Sequence, residues 1–226
     1  MATLLWPLGV LPPRELMIDI APRSLAGPSS VSGVSQVVAS DAGIWKATYA
    51  GIPVVDDQKV LAWRAINNLL EGRLISILVP IWRWYQPVPA EADELALYDP
   101  VPHSDQSPFS DGSMYQGGVI DVTLASSIPL RGVTANISIK SADMIQPGQH
   151  FSIEGRLYRV RTVNYTSETT AAITFRPPAR EAASVGARLE FDFPVCRMRL
   201  ASDGEMDLPL DYGRWSFPTV NFIEDV

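Results

Sequence analysis

Proline limits how this chain can fold more than any other residue type. The 226-residue sequence holds 19 prolines and 15 glycines, and a proline inside a helix removes a backbone donor and clashes with the preceding turn. Most of the chain therefore cannot form long helices. Hydrophobic residues make up 46% of the sequence and charged residues 19%, a balance that supplies a core and argues against disorder. These features predict a soluble, β-rich globular protein with one large domain or two small ones.

Charge, cysteine count and hydropathy exclude several classes of protein. The formal net charge is −7. The sequence also lacks the cluster of basic residues with which nucleic-acid-binding proteins neutralise phosphates. With one cysteine and two histidines, neither an intrachain disulfide nor a zinc site of four cysteines, or of two cysteines and two histidines, can form. The longest largely apolar run, 74–82, is far short of the roughly 20 residues that span a membrane. We expect no cofactor, no export and no membrane insertion.

Two stretches in the first 85 residues are predicted as strands. Residues 44–55 (IWKATYAGIPVV) follow a turn-like Ser-Asp-Ala-Gly at 40–43, and residues 34–39 before that turn are suited to be the hairpin partner. Residues 74–85 (LISILVPIWRWY) form an apolar run that is typical of a buried strand.

One helix is predicted between these strands. Asp56 and Asp57 place two acids at its N-terminus, where the helix macrodipole favours negative charge. Apolar residues then recur at spacings of three and four, and Gly72 follows as a C-terminal cap. The sequence predicts a helix over 57–71 with an apolar stripe formed by Val60, Leu61, Trp63, Ile66, Leu69 and Leu70.

The composition changes at residue 86, and a second pattern begins at residue 119. Residues 86–118 hold five prolines with many acids and serines, which is typical of an extended arm or linker. Residues 119–194 alternate strand-like stretches with Gly, Pro or Asn breaks, which predicts a small β-barrel-like module with Tyr158 and Val160 on a buried face. Its predicted strands are 119–125, 133–140, 151–154, 157–165, 171–175 and 188–193.

The end of the chain is predicted to return to the first domain. Strand-like stretches at 195–200 and 217–222 can extend the first sheet, which makes 119–194 an insertion. The first domain then comprises residues 1–85 and 195–226.

Residue types of catalytic and metal sites are present without the spacing that such sites need. His103, Ser104 and Asp105 are adjacent, whereas the members of a hydrolytic triad meet from distant positions. His150 flanks a turn, and Asp203-Gly204-Glu205 lacks the spacing of a calcium loop. Nothing in this pattern requires an enzyme.

Cys196 and the acidic residues of the proline-rich segment do not define a site. Cys196 is predicted as a small apolar residue of the core. A glycosidase needs two carboxylates at a set separation in a cleft, and the sequence does not define such a pair. The acids of the proline-rich segment that such a pair could use include Asp93, Glu94, Asp99, Asp105 and Asp111.

Trp82, Trp84 and Tyr85 form the densest aromatic cluster of the sequence. On a strand, Trp82 and Trp84 would share a face and Arg83 would point the other way. We favour packing of these rings in the core, or in the core and a subunit interface, against the helix that carries Trp63. The alternative is an exposed platform on which sugar rings stack.

Three stretches resemble a known family. They are Ile145–Val163 (IQPGQHFSIEGRLYRVRTV), Ile173–Leu200 (ITFRPPAREAASVGARLEFDFPVCRMRL) and Phe217–Asp225 (FPTVNFIED). A Pro-Gly turn before Phe-Ser-Ile-x-Gly-Arg-Leu-Tyr-Arg-Val is followed by Phe-Arg-Pro-Pro-x-Arg, Pro-x-x-x-Met-Arg-Leu and a terminal Phe-Ile-Glu. This order resembles the distal tail proteins, baseplate adaptors of long-tailed bacteriophages. The resemblance covers roughly the C-terminal half, and the N-terminal half fits it coarsely, as strands with one flanking helix.

The resemblance implies a ring-forming structural adaptor at the tip of a phage tail. The implied fold is a tail-tube-like β-sandwich with one flanking α-helix and a small inserted β-barrel-like module. The implied partners are the chain itself, as a homohexamer, with the tail tube protein, the central hub and receptor-binding proteins. The implied location is the virion, after assembly in the host cytoplasm. No residue with a chemical role is carried over.

Physical considerations fit such an adaptor. An acidic lumen would repel DNA phosphates, so that DNA would pass as cargo. The segments 1–13 and 86–118 could reach across neighbouring subunits, since a ring needs contacts that close by rotation. The alternatives are a carbohydrate-binding, receptor-recognising β module, a hydrolase that uses the acids of the proline-rich segment, and another tail component such as a tube or tail-completion protein.

Overall fold

The computed structural model describes residues 4–29, 31, 35–82, 84–90, 105–110 and 118–226. These residues form a mainly β protein with one helix, as the sequence predicts. The helix within those ranges lacks the length and hydropathy needed to cross a membrane. The chain divides into two compact units. The first comprises Met1–Trp82, Gly155–Leu157 and Val195–Val226, and the second comprises Arg83–Glu154 and Tyr158–Pro194.

Two sheets contain the described strands. The strands are β1 (Leu4–Leu5), β2 (Glu15–Ser29), β3 (Ser35–Ala50), β4 (Ile77–Pro80), β5 (Asp121–Leu124), β6 (Thr134–Ser141), β7 (His150–Ile153), β8 (Arg156–Ser167), β9 (Thr170–Arg176), β10 (Val195–Leu200) and β11 (Val220–Glu224), and helix α1 is Asp57–Leu70. The sheet of the first unit has the order β1-β4-β10-β11-β3-β2, and the other sheet has the order β5-β6-β9-β8-β7. The C-terminal strands β10 and β11 thus lie in the middle of the first sheet.

Helix α1 begins where the sequence predicts. The Asp56 carboxylate accepts a hydrogen bond from the Lys59 backbone N–H at 2.8 Å, which satisfies one of the donors that the first turn leaves unpaired. Trp63, Ile66 and Leu70 are buried in the core of the first unit. The indole N–H of Trp63 donates to the backbone oxygen of Met206 at 2.8 Å, so this buried polar atom is also satisfied.

The apolar stripe of the helix is narrower than predicted. Leu61 and Leu69 are 63% and 56% exposed, so the prediction that they widen the buried face is wrong. The helix ends at Leu70 because Glu71 adopts the left-handed conformation, with φ 48°. Gly72 follows with φ 65°, a conformation that suits glycine.

The N-terminal segment is packed, and its prediction as an arm over residues 1–13 is wrong for the described part. Trp6 and Leu11 are fully buried, and the Trp6 indole N–H donates to the Leu11 oxygen at 3.0 Å. The Trp6 ring meets Tyr49 and Phe222 edge-on, with centroids 5.6 and 5.5 Å apart. Such T-shaped pairs stabilise a core beyond the area they bury.

The prediction of a hairpin between residues 34–39 and 44–55 is also wrong. β3 continues through 40–43 and pairs with β2 along its length. Three residues of β3 lie opposite Pro22, between the Ala21–Ile44 and Arg23–Ser40 pairs. The turn-like sequence is therefore absorbed as a bulge within a longer strand, because long-range pairing with β2 outweighs the local turn preference.

The predicted strand 74–85 is present only as β4. Strand pairing stops at Pro80, which has no N–H to extend the ladder. Along β4, Ile77 and Val79 are buried and Leu78 is half-buried. The apolar run on which the prediction rested therefore continues beyond the end of the strand.

The second sheet is curled, and one segment pairs with both of its edge strands. The Leu189 N–H donates to Val122 of β5 at 2.9 Å, and the Glu190 N–H donates to Ser152 of β7 at 2.8 Å. The predicted strand 188–193 is therefore a short bridging segment rather than a full strand. It covers both sheet edges and gives the second unit its barrel-like form.

The interior of the second unit is aromatic. Tyr158 and Val160 are buried, as predicted. The Phe151 ring lies 5.6 Å from Tyr158 and 5.7 Å from Phe175, centroid to centroid. The strands predicted at 119–125, 133–140, 151–154, 157–165 and 171–175 match β5 to β9 with small shifts at their ends.

The start of the proline-rich segment packs on this unit. Val88 contacts the core of the second unit, and the Pro87 oxygen accepts a hydrogen bond from the Asp143 N–H at 2.9 Å. Of the predicted arm 86–118, residues 91–104 and 111–117 lie outside the described residues.

Asp192 is a buried carboxylate of the second unit. Its side chain is fully buried and accepts hydrogen bonds from the Ile120 N–H at 3.2 Å and from Arg188 at 3.1 Å. Desolvation nevertheless raises the pKa of Asp192 above its ordinary value. A group whose pKa is raised on folding stabilises the fold below its unfolded pKa, and this contribution is lost as the pH rises through the folded value.

We therefore expect Asp192→Asn to change the pH dependence of stability. The free energy of unfolding of the wild-type protein minus that of the variant should fall as the pH rises above about 4, the ordinary pKa of an aspartate. Urea denaturation of both proteins at a series of pH values measures this difference. A difference that grows with pH would show that hydrogen bonds to the carboxylate outweigh its desolvation.

Candidate functional site

The β2–β3 hairpin extends well beyond the sheet to which it belongs. β11 pairs with β3 only from Lys46 to Tyr49, whereas β2 and β3 pair with each other as far as Ser29 and Ser35. Residues 22–29 and 35–42 therefore form a two-stranded extension, called the ribbon below. At roughly 3.3 Å per residue, a strand of this length spans about 26 Å.

Neither edge of the ribbon pairs with a third strand among the described residues. A two-stranded hairpin alone is marginally stable in water, and its unpaired N–H and C=O groups can template another strand. The two edges differ, because Pro22 and Pro28 remove donors from β2 while residues 35–42 contain no proline. The edge of β3 is therefore the better acceptor for an added strand.

A second surface of the first unit carries aromatic rings on a tight turn. Asp211 and Trp215 pair through their backbones, with the Asp211 N–H 2.9 Å from the Trp215 oxygen. Tyr212 and Gly213 between them have φ values of 50° and 71°, as in a type I′ turn. Residues 211–217 are called the aromatic hairpin below.

The rings of the aromatic hairpin face solvent. Tyr212 is 91% exposed, and its ring centroid lies 6.0 Å from that of Trp215. Backbone pairing of Ser216 with Val54 buries Ser216, which leaves Trp215 and Phe217 on the outer side. The Arg14 guanidinium lies over the Phe217 ring at 4.5 Å from the centroid.

The polar groups at the tip of this hairpin are available to a ligand or partner. Within the described part of the chain, the side chains of Asp211, Arg214 and Trp215 and the Tyr212 hydroxyl have no hydrogen-bond or ion-pair partner. Trp, Tyr and Arg are the residues that dominate the energetics of protein interfaces. The tip therefore has the residue composition that is typical of a binding hot spot in a protein interface.

The same unit contains an open cleft of about 890 Å³ beside the C-terminal end of α1. Leu74, which is 81% exposed, and Ile223 supply apolar surface in it. Arg73 and Asp203 at its rim form an ion pair, with Nε and Oδ1 3.1 Å apart. Glu71 and Arg199 also line the cleft, and neither has a partner among the residues that the structure describes.

Trp82, Trp84 and Tyr85 are 47%, 63% and 93% exposed. The prediction that they pack in the core is therefore wrong, since the chain leaves the strand at Pro80. The alternative uses of these rings, in an interface or as a sugar platform, stay predictions.

The other candidate residues are placed as follows. His103 and Ser104 lie outside the described residues, and the Asp105 carboxylate accepts hydrogen bonds from the side chain and N–H of Ser107. Arg159 Nε donates to His150 Nε2 at 3.0 Å. Cys196 is buried in the core of the first unit, as predicted.

The acids of the C-terminal loop hold backbone and side chains in place. Asp203 pairs with Arg73. Glu205 accepts hydrogen bonds from the backbone and side-chain nitrogens of Asn221 at 3.1 and 2.9 Å. No group of three or more potential metal ligands occurs among the described residues.

Sequence reasoning missed the aromatic hairpin and the cleft. The signal for the hairpin was present, because Tyr-Gly-Arg-Trp-Ser-Phe at 212–217 places a glycine at a turn between closely spaced aromatic residues. The cleft has no such signal, since its walls come from residues 71–74, 199–203 and 223.

No protein-family model matches this sequence, and no curated protein matches it significantly.

The strained tip gives a prediction about stability. A tyrosine at positive φ costs about 1 kcal/mol or more relative to a residue that tolerates this conformation. We expect Tyr212→Asn to leave the free energy of unfolding unchanged or to raise it by up to about 1 kcal/mol, because asparagine adopts the left-handed region more readily. Urea denaturation measures this change.

The matched control is Tyr158→Asn, which removes a buried ring of the second unit and should cost about 3 kcal/mol or more. A loss of more than about 1 kcal/mol in Tyr212→Asn would mean that the exposed ring stabilises its own hairpin.

Proposed function

We propose that this protein is a structural, ring-forming adaptor at the distal end of a phage tail. It joins the tail tube to a central hub and carries receptor-binding components. In this proposal the protein acts by organising an assembly and does not catalyse a reaction. Copies of the chain associate head to tail around a channel, and a sixfold ring is the arrangement that the family resemblance implies.

The observation that carries this proposal is the ribbon. Its strands pair only with each other in the described structure, although a two-stranded hairpin is marginally stable alone. A neighbouring copy that adds a strand to the edge of β3 satisfies the backbone groups of residues 35–42. Strand addition of this kind supplies affinity through main-chain hydrogen bonds.

The residues that carry the family resemblance have structural roles that suit an adaptor. Phe151 and Tyr158 lie in the core of the second unit, and Met198 and Phe222 lie in the core of the first unit. They maintain the cores of the two units.

We expect removal of the ribbon to abolish assembly without unfolding the chain. The variant replaces residues 22–43 with Asn-Gly, which joins the paired residues Ala21 and Ile44 by a type I′ turn. The remaining pairs of β2 and β3 stay in the sheet, so the variant should keep its circular dichroism spectrum. Negative-stain electron microscopy should show rings of the wild-type protein and none of the variant.

The matched control places the same turn in the second unit. Glu168 and Thr169 form the two-residue turn between β8 and β9, and Glu168→Asn with Thr169→Gly should leave the rings intact. Rings that persist in a folded variant without the ribbon would show that strand addition does not hold the assembly together.

A second candidate function is glycan binding, which the exposure of Trp82, Trp84 and Tyr85 favours. Exposed aromatic faces can stack on sugar rings, and a core role no longer accounts for these side chains. A glycan array and titration calorimetry would test it, with Trp84→Ala compared with the wild-type protein. Binding that disappears in a folded Trp84→Ala variant supports this function, and the absence of any glycan affinity in the wild-type protein contradicts it.

A further inference from the structure

The aromatic hairpin and the cleft of the first unit have complementary chemistry. We propose that the aromatic hairpin of one copy docks in the cleft of a second copy. This contact rests on the proposed ring and names the surfaces through which neighbouring subunits meet, in addition to the ribbon.

Apolar surface is available on both sides. Tyr212 and Trp215 present rings that are 91% and 40% exposed and that lie 6.0 Å apart, centroid to centroid. In the cleft, Leu74 is 81% exposed and Ile223 is half-buried. Removing these surfaces from water together provides the non-directional part of the binding free energy.

Charges provide the specificity. Arg214 and Asp211 on the aromatic hairpin match Glu71 and Arg199 in the cleft, and all four side chains lack a partner among the described residues. Two copies with a net charge of −7 each repel one another. A contact that places opposite charges together offsets this repulsion locally and fixes the orientation.

The geometry of the contact suits a ring. The aromatic hairpin and the cleft are different surfaces of the same unit, so each copy has one of each to offer. Contacts of this heterologous type generate closed rings or open filaments, whereas a self-complementary surface gives only dimers. The ribbon and this contact would then act at the same subunit boundary.

Charge reversal tests the contact. We expect Arg214→Glu alone and Glu71→Arg alone to weaken self-association about tenfold or more, because each places like charges together. Combining both substitutions in one chain should restore association, since the reversed charges then attract each other across the contact. Sedimentation velocity over a concentration series measures the association of each variant.

Mixing the two single variants should also restore association. The substituted hairpin of the Arg214→Glu chain then meets the substituted cleft of the Glu71→Arg chain, and these two surfaces carry opposite charges. The hairpin and the cleft that remain unchanged in the mixture form the native pair. The same sedimentation experiment on the mixture measures this recovery.

Two control variants make the same changes of charge elsewhere. Arg64→Glu alters an exposed residue of α1, and Glu168→Arg alters an exposed turn of the second unit. Both should associate like the wild-type protein. Circular dichroism spectra verify that each variant is folded.

The outcomes separate this contact from the proposed function. Assembly that is lost on removal of the ribbon but insensitive to both charge reversals overturns the docking and leaves the ring. Single variants that fail to recover on mixing also overturn the docking, because the damage is then not specific to the pair. A wild-type protein that stays monomeric at every concentration overturns both proposals.

Discussion

Backbone hydrogen bonding at strand edges is the constraint on which this structure depends. Every N–H and C=O group that leaves water needs a partner, and a sheet satisfies its own groups everywhere except at its edges. In the second unit, the segment around Arg188 pairs with both edge strands. In the first unit, the short parallel strand β1 ends one side of the sheet, and the ribbon extends from the other. Among the residues that the structure describes, the first unit therefore has unpaired backbone groups at the ribbon that a partner could bind, whereas the sheet edges of the second unit are covered.

On this difference we propose separate roles for the two units. A barrel-like unit with covered edges is complete in itself and can be carried as a module. A sheet with a long, largely uncharged hairpin at its border is suited to continue into another molecule. The core around Trp6 and Phe222 holds the base of that hairpin, because Tyr49 of β3 packs on both rings. Folding of the core thus positions the ribbon, through which we propose that copies of the chain assemble.

The sequence predicted those helices and strands whose formation depends mainly on residues close to one another along the chain. Helix α1 follows from the Asp56 cap and the spacing of Trp63, Ile66 and Leu70, and β5 to β9 follow from alternation between turn residues. The turn expected at 40–43 does not form because the preceding strand, β2, pairs with β3 on both sides of it. Exposure of Trp82 and Trp84 was missed because an apolar run does not show where a strand ends. The cleft could not be predicted, since tertiary folding brings its walls together.

The absolute mass in solution tests the central claim, that copies of this chain complete one another in a closed ring. Light scattering over a concentration series reports that mass directly. The account predicts a plateau near 149 kDa, which is six times the chain mass of 24.8 kDa, with no further growth at higher concentration. A mass of 24.8 kDa at every concentration would contradict it, because the edges of the ribbon would then be stable without a second copy.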